Sequence, residues 1–243
     1  MPFEKIYCAG TTAACSYACH YLSEAGFLIA DSPDWNTKHL LLDVPSFPPG
    51  SRTPKALDTL LSSLPENITV WGGNLNHPTL ESFKTIDLLK DESYLTKNAA
   101  ITADCTIPIA ESALDRPWQE VNAMIIGWGR ITKFLSWKLK SLGCDVTISS
   151  RSTAHQEEAN ASGFHTTASP DQTQPYHLIV NTAPAHVLSV QDHTSSVLID
   201  LASAKGIEGS NVIWARGLPG KYAPERSGKL IADTILRLSK EER

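Results

Sequence analysis

Short apolar runs alternate with amphipathic segments along the C-terminal half of the chain. NAMIIG, residues 122–127, is an apolar run that ends in glycine, as buried parallel strands commonly do. Five apolar side chains of the next segment share one helical face: Ile131, Phe134, Leu135, Leu139 and Leu142. Further strands are predicted at DVTISS, FHTTAS, HLIVNTA, SVLIDLAS and NVIWARG, with helices at STAHQEEANASG and, shorter, at PAHVLSVQD. This alternation predicts an α/β doubly wound parallel sheet, a Rossmann domain.

The N-terminal half shows a looser version of the same pattern. KIYCAG, FLIAD, HLLLDVP and ITVWGG predict strands, and AACSYACHYLSEAG and ALDTLLSSL predict helices, with a proline-rich loop at PSFPPGSRTP. These elements predict a smaller, trimmed flavodoxin-like domain over residues 1–97. We expect an interdomain helix over 98–117, kinked at Pro108, and the Rossmann domain over 118–223. A C-terminal helix over 224–243 is expected to pack back on the first domain.

Composition and charge narrow the class of protein. The chain has 243 residues, 42% of them apolar and 19% charged, which is typical of a globular protein. No apolar run approaches the ~20 residues of a membrane helix, and no signal peptide is evident at the N-terminus. We therefore expect a cytoplasmic protein that spans no membrane. The net charge of -5, without a basic patch, argues against nucleic-acid binding.

The five cysteines allow a metal or a packing interpretation. Their odd number, without the spacing of a disulfide framework, predicts free thiols in a reducing compartment. Cys15, Cys19 and His20 supply only three candidate ligands, whereas a closed zinc site needs four. We therefore favour packing and predict no metal site.

The segment GWGRIT, residues 127–132, resembles a phosphate-binding turn. Gly127 permits a tight turn, and Gly129 lets backbone approach a pyrophosphate without a Cβ in the way. Thr132 stands where the third glycine usually packs helix against strand, yet backbone N–H groups and the helix dipole still attract phosphate. The predicted cofactor-binding loop also includes Trp128, Arg130 and Ile131. A purely structural turn is the alternative.

The end of the second predicted strand favours NADP (NADPH) over NAD. An NAD site usually has Asp or Glu there, about 20 residues past the glycines. This chain has Ser150, Arg151 and Ser152 instead, which can donate to a ribose 2′-phosphate. A charged hydrogen bond contributes ~1.5–3 kcal/mol, roughly a 10- to 150-fold preference. Alternatively, Arg151 is solvated surface.

Two later strand ends should face the nucleotide as well, because ligands bind at the carboxyl ends of parallel strands. The small residues of NTAPA and DLAS leave room for the nicotinamide ribose. The predicted cofactor contacts there are Asn181, Thr182, Ala183, Pro184, Ala202 and Ser203. Asp200 precedes the last two at its strand end.

The C-terminal half resembles the A-subunit of bacterial dipicolinate synthase. The resemblance rests on VNTAPAHVL, LIDLAS and GLPGKYAPERSGKLIAD, in that order. LTKNAAITADCTI is similar to that family's interdomain helix start, and GWGR and SSRS resemble its cofactor loop and second strand end. The likeness covers roughly residues 94–236. The chain departs from the family at Thr132, at AKGIEG after DLAS, and in a shorter N-terminal half.

The resemblance implies NADP-linked oxidation of dihydrodipicolinate to dipicolinate during sporulation, beside a flavoprotein-like B-subunit. The substrate would be a small dicarboxylate, and we expect a homo-oligomer. On this resemblance Lys221 is the first candidate to hold a substrate carboxylate, with Asn98 and Thr102 as hydrogen-bond partners. His186, beside the NTAP turn, is the candidate proton acceptor. A surface role for Lys221 and a structural role for His186 stay open.

Two rival hypotheses accompany this one. The chain could be a non-catalytic NADP(H)-binding subunit or sensor, which Thr132, the short first domain and the lack of an obvious acid–base pair favour. It could also be an NADP-dependent dehydrogenase of another small carboxylic acid. All three share a nucleotide site around residues 127 and 151.

Overall fold

The computed structural model describes residues 4–47, 55–65, 67–170, 176–190 and 195–241. The chain forms two compact units. Met1–Asn98 and Pro219–Arg243 make the first, and Ala99–Leu218 make the second. No helix within the described residues is long and apolar enough to cross a membrane.

The first unit is built on a five-stranded parallel sheet. Its elements in chain order are β1 Lys5–Cys8, α1 Ala13–Glu24, β2 Leu28–Ala30, β3 Thr37–Leu41, α2 Lys55–Ser62, β4 Thr69–Gly72 and β5 Lys84–Asp87. The strand order β2-β1-β3-β4-β5 is the flavodoxin-like order, which confirms the predicted fold of this half. The sequence pattern missed β5, because KTID holds one apolar residue and is partly or fully exposed.

The C-terminal helix α7, Pro224–Glu241, packs on α1 in this unit. Gly228 lies at the crossing, where an added Cβ would collide with Tyr17 and with the backbone of Ala14. Arg237 near the helix end pairs with Asp91 at 2.6 Å. Close backbone contact at a glycine and this ion pair hold α7 in place.

A long helix, α3 Glu92–Ala113, runs from the first unit into the second. It begins six residues before the predicted start at Asn98, because Asp91 Oδ1 accepts a hydrogen bond from the Tyr94 N–H at 2.7 Å. An acidic side chain is a favourable helix start of this kind. Pro108 lies inside the helix and is exposed. The predicted helix therefore exists, with an earlier boundary.

The second unit is built on a six-stranded parallel sheet. Its elements are β6 Asn122–Ile126, α4 Arg130–Ser141, β7 Asp145–Ser149, α5 Thr153–Ala161, β8 His165–Thr167, β9 Leu178–Asn181, β10 Leu188–Ser189, β11 Val197–Asp200, β12 Ile207–Glu208, β13 Val212–Trp214 and α6 Leu218–Tyr222, whose last residues belong to the first unit. The order β13-β11-β9-β6-β7-β8 is that of a Rossmann sheet, which confirms the prediction. In register, Ile126 pairs with Ser149 on one side and Asn181 on the other. Three strand ends therefore meet at one edge.

The predicted short helix at residues 184–192 is wrong over its described part. β10 pairs with β12 in a separate two-stranded parallel sheet. Leu188 is buried and Val190 packs against the same apolar cluster, whereas Ser189 between them is exposed. This alternation has the period of a strand. Residues 191 and 192 lie outside the described residues.

The expectation that all five cysteines are free is also wrong. Cys8 of β1 and Cys19 of α1 form a disulfide, with Cα atoms 6.7 Å apart, while Cys15, Cys105 and Cys144 are free and buried. Burial, with the nearby Asp43 carboxylate, raises the pKa of the Cys15 thiol to about 12. The described part of the chain holds no group of three or more His, Cys, Asp or Glu residues placed to bind a metal ion.

Candidate functional site

A cavity of about 470 Å³ opens at the carboxyl edge of the second unit's sheet. It lies over the ends of β8, β7, β6 and β9, which are neighbours in the sheet. At ~4.8 Å between strands, three spacings amount to about 14 Å of sheet edge. The cavity is lined by residues 126–129, 149–152, 155, 168, 170, 182–184, 186 and 187. This is the edge at which Rossmann sheets bind nucleotides.

The two glycines of the predicted turn meet different requirements. Gly127 has φ +101°, and a Cβ there would lie 2.7 Å from Thr182 Oγ1, so both backbone and space demand glycine. Gly129 has ordinary backbone angles, and an added Cβ would meet nothing within 4 Å. Gly129 is the N-cap of α4 but supplies no side-chain hydrogen bond. The start of α4 therefore has no side-chain cap, and a helix start of this kind attracts phosphate through its backbone amides and dipole.

Thr132 is accommodated at the position where a third glycine usually packs helix against strand. The side chain is fully buried, and its Oγ1 lies 2.9 Å from Thr182 Oγ1. Thr182 Oγ1 in turn donates to the Ile126 carbonyl at 2.9 Å. Since that bond uses the only hydroxyl proton of Thr182, Thr132 must donate to Thr182. A hydrogen-bonded chain thus joins helix to sheet at this position.

Trp128 does not close the cavity that it lines. Its side chain is buried edge-on against Phe164, with ring centroids 6.0 Å apart, and Lys133 Nζ lies 5.7 Å from the indole centroid. Lys133 also pairs with Glu158 at 2.5 Å, and this hydrogen bond lowers the pKa of the carboxyl. Of the other predicted loop residues, Arg130 is exposed and Ile131 half-buried, and neither lines the cavity.

Ser150, Arg151 and Ser152, the residues predicted to contact the ribose 2′-phosphate, line the cavity at the end of β7. Ser150 is nearly buried and its Oγ accepts from the Ser152 N–H at 3.3 Å. Ser152 Oγ caps α5 by accepting from the His155 N–H at 3.4 Å. The guanidinium of Arg151 is exposed and forms no ion pair within the described ranges. Sequence reasoning missed His155, although a cap at Ser152 places it in the first helical turn.

Some of the residues at the ends of β9 and β11 line the cavity, and others have structural positions. Of the residues predicted to contact the cofactor here, Thr182, Ala183 and Pro184 line the cavity, whereas Ala202 and Ser203 do not. Asn181 also does not: it is fully buried and its side chain bonds to both the Ala183 N–H and the Ala183 carbonyl. The structure therefore gives Asn181 a structural position in place of the predicted nucleotide contact.

Asp200 holds the segment that follows β11 through hydrogen bonds. Its buried carboxylate accepts four hydrogen bonds, from Asn181 Nδ2 and from the backbone N–H groups of Ala202, Gly206 and Ile207, at 2.7–3.0 Å. These bonds fold residues 201–207 back on the strand end. A buried charge is tolerated only with such partners.

The four predicted catalytic residues fall into both units. His186 lines the cavity, with Nε2 3.3 Å from Ser189 Oγ and Nδ1 3.8 Å from Glu208 Oε1. Thr102 is nearly buried on α3 in the same unit. Asn98 and the exposed Lys221 belong to the first unit.

The fold and this site define a Rossmann-type protein with the architecture of dehydrogenases. A transhydrogenase from Sinorhizobium meliloti has a similar fold, with a TM-score of 0.69 at 10% identity over 98% of this chain and 94% of that one. The crystal structure of the dipicolinate synthase A-subunit from Bacillus halodurans superposes with a TM-score of 0.78 at 19% identity, over 97% of each chain. No protein-family model matches the chain.

Sequence comparison leads to the same kind of protein. The chain is 25% identical over 173 residues to the dipicolinate synthase A-subunit of Bacillus subtilis. The match spans 65% of this chain and 58% of that protein, less than two thirds of its length. The resemblance to the family of dipicolinate synthase A-subunits, predicted from the C-terminal motifs, is confirmed.

Proposed function

We propose that the second unit binds NADP(H) and that the chain is an oxidoreductase of the dipicolinate synthase A-subunit kind. The observation that carries the proposal is the cavity over an uncapped glycine turn, with Arg151 at one end and in no ion pair within the described residues. None of the described residues that line it is Asp or Glu, whereas Arg151, His155 and His186 are basic. Such a lining favours an anionic ligand.

The residues present fit a dinucleotide. The space beside the Gly129 backbone is open, so a pyrophosphate can approach it closely, and the amides at the start of α4 are donors of the kind that bind pyrophosphate. Ser150, Arg151 and Ser152 would hold the adenosine ribose and its 2′-phosphate. Thr182, Ala183 and Pro184 would contact the cofactor at the β9 end. A bound nicotinamide ring would supply the hydride acceptor.

For the substrate we propose a small ring dicarboxylate of the dihydrodipicolinate kind, as the family relationship suggests. Becoming aromatic, such a ring loses a hydride and a proton, and His186 is the proposed proton acceptor. Ser189 and Glu208 lie beside the imidazole and hold its orientation. Lys221, Asn98 and Thr102 are proposed to bind substrate carboxylates, through charge for Lys221 and hydrogen bonds for the other two.

Cofactor binding is tested by titrating the protein with NADPH and NADH while following nicotinamide fluorescence. We expect NADPH to bind more tightly, and Arg151→Ala to weaken NADPH roughly 10-fold or more, with NADH nearly unchanged. Arg116→Ala is the matched control, because this arginine of the same unit pairs with Asp115 and does not line the cavity. Equal losses for both cofactors would contradict the 2′-phosphate assignment.

Activity is tested by mixing the protein with NADP and freshly made dihydrodipicolinate, with and without a flavoprotein-like B-subunit. Catalysed growth of dipicolinate absorbance supports the oxidoreductase. NADPH binding without turnover in either mixture would instead indicate the non-catalytic cofactor-binding protein. Absence of binding at high micromolar cofactor would exclude both.

A further inference from the structure

We infer that His155 forms, with Arg151, a two-residue subsite for the ribose 2′-phosphate and thereby sets selectivity between NADP and NAD. This inference rests on the proposed function and deepens it. It concerns the end of the cavity over β7 and β8, at which the first turn of α5 meets residues 168 and 170.

The subsite presents basic side chains that are not engaged in ion pairs. Arg151 and the His155 ring form no ion pair or hydrogen bond within the described residues, although both line the cavity. Glu158, one turn along α5, is paired with Lys133 at 2.5 Å and interacts with His155 only through the weaker electrostatic attraction of a more distant charge. Ala168 and Pro170, which line the cavity at the end of β8, carry no charge. An anion entering here meets two cationic or donor groups, and no acid lines this end of the cavity within the described residues.

The hydrogen-bonding pattern positions His155 at this subsite. Its backbone N–H is used by Ser152 Oγ at 3.4 Å, which anchors the residue in the first turn of α5. The Gln156 amide is tied to the Ser150 carbonyl at 2.7 Å, so the neighbouring turn is held as well. The imidazole then reaches the cavity from a fixed backbone, and it carries a ring N–H donor in either protonation state.

A 2′-phosphate and a 2′-hydroxyl need different binding partners in this subsite. The phosphate brings negative charge and several acceptor oxygens, which match a guanidinium and an imidazole together. A 2′-hydroxyl of NAD would usually be held by a carboxylate, and the described lining has none. Arg151 alone is a long, exposed side chain, whereas His155 adds a donor on a helix. Arg151 and His155 together therefore discriminate NADP from NAD better than Arg151 alone.

The experiment measures dissociation constants by calorimetry for four ligands: NADPH, NADH, adenosine 2′,5′-bisphosphate and 5′-AMP. We expect His155→Ala to weaken NADPH and the bisphosphate about 5- to 10-fold, with NADH and 5′-AMP changed less than about twofold. His155→Gln should recover part of the loss, since it restores a donor. His165→Ala is the control, an exposed histidine of the same unit that does not line the cavity.

The outcomes separate this inference from the function on which it rests. If the unsubstituted protein binds neither NADPH nor NADH, the proposed function fails and the inference with it. If it binds NADPH and His155→Ala loses affinity equally for all four ligands, or for none, the cofactor proposal stands and the role of His155 is refuted. A melting temperature equal to that of His165→Ala excludes misfolding as the cause of any loss.

Discussion

Gly129→Ser should stabilise the protein and weaken its cofactor binding at the same time. Gly129 has φ -91° and ψ -173°, extended angles that serine adopts without strain, and its N-cap position lacks a side-chain hydrogen bond. A new Cβ would meet nothing within 4 Å. The serine hydroxyl can therefore accept from a first-turn amide of α4, as N-cap serines do.

The expected gain in stability is small but measurable. Serine adds a side-chain cap that glycine lacks, and it reduces the conformational entropy of the unfolded chain. Together these two effects raise the free energy of unfolding by about 0.5–1 kcal/mol. For a chain of this size that is a rise of about 1–4 °C in melting temperature. The loss in binding is larger. The side chain fills the phosphate approach and occupies an amide, which removes at least one charged hydrogen bond of ~1.5–3 kcal/mol, or about 10-fold or more in Kd.

Thermal unfolding and NADPH fluorescence titration on the same preparation measure both effects. Gly209→Ser is the control, because a Cβ there makes only ordinary contacts at 3.5 Å or more and the residue does not line the cavity. A variant with a higher melting temperature and an unchanged Kd for NADPH would refute the placement of the pyrophosphate on this turn. A lower melting temperature would refute the cap geometry itself.

Three further experiments test the scaffold. Gly228→Ala should lower the free energy of unfolding by about 1–3 kcal/mol in denaturant titrations, because the Cβ would collide with α1; a neutral effect would contradict that helix crossing. Thr132→Val and Thr182→Val should show a coupling energy of about 0.5–1.5 kcal/mol in a double-mutant cycle, and additive losses would exclude their hydrogen bond. Burial is the largest single effect on Asp91 and raises its pKa, but the hydrogen bonds from Arg237 and from the Tyr94 N–H, with the charge of Arg237, together lower the carboxyl pKa below its ordinary value. Arg237→Met should therefore destabilise the protein at neutral pH. The difference should begin to shrink as the pH falls through about 4, where Asp91 of the unfolded chain is protonated, and should vanish only below the lowered pKa of folded Asp91, where the carboxyl is protonated in both states. A difference that does not change with pH would exclude the pair.

The sequence alone predicted both sheets and the turn between β6 and α4. Apolar runs and helical periodicity depend on neighbours in the chain, so NAMIIG and the amphipathic segment after it were visible without coordinates. Gly127, Gly129 and Arg151 were found because a strand–turn–helix pattern places them at one sheet edge. β5 was missed because KTID holds one apolar residue, and β10 was predicted as part of a helix because a two-residue strand is too short for its alternation to outweigh a helical interpretation.

Which residues face the cavity was decided only by the tertiary structure. Asn181 and Thr182 are adjacent, yet one is buried in a network with Asp200 and the other lines the cavity. Thr132, an irregularity in the glycine pattern, is accommodated by a hydroxyl fifty residues away in the chain. His155 lines the cavity because the cap at Ser152 anchors it in the first turn of α5. The sequence determines strands, helices and their order through local pattern, but the direction and partners of a side chain depend on contacts between distant segments, which only folding brings together.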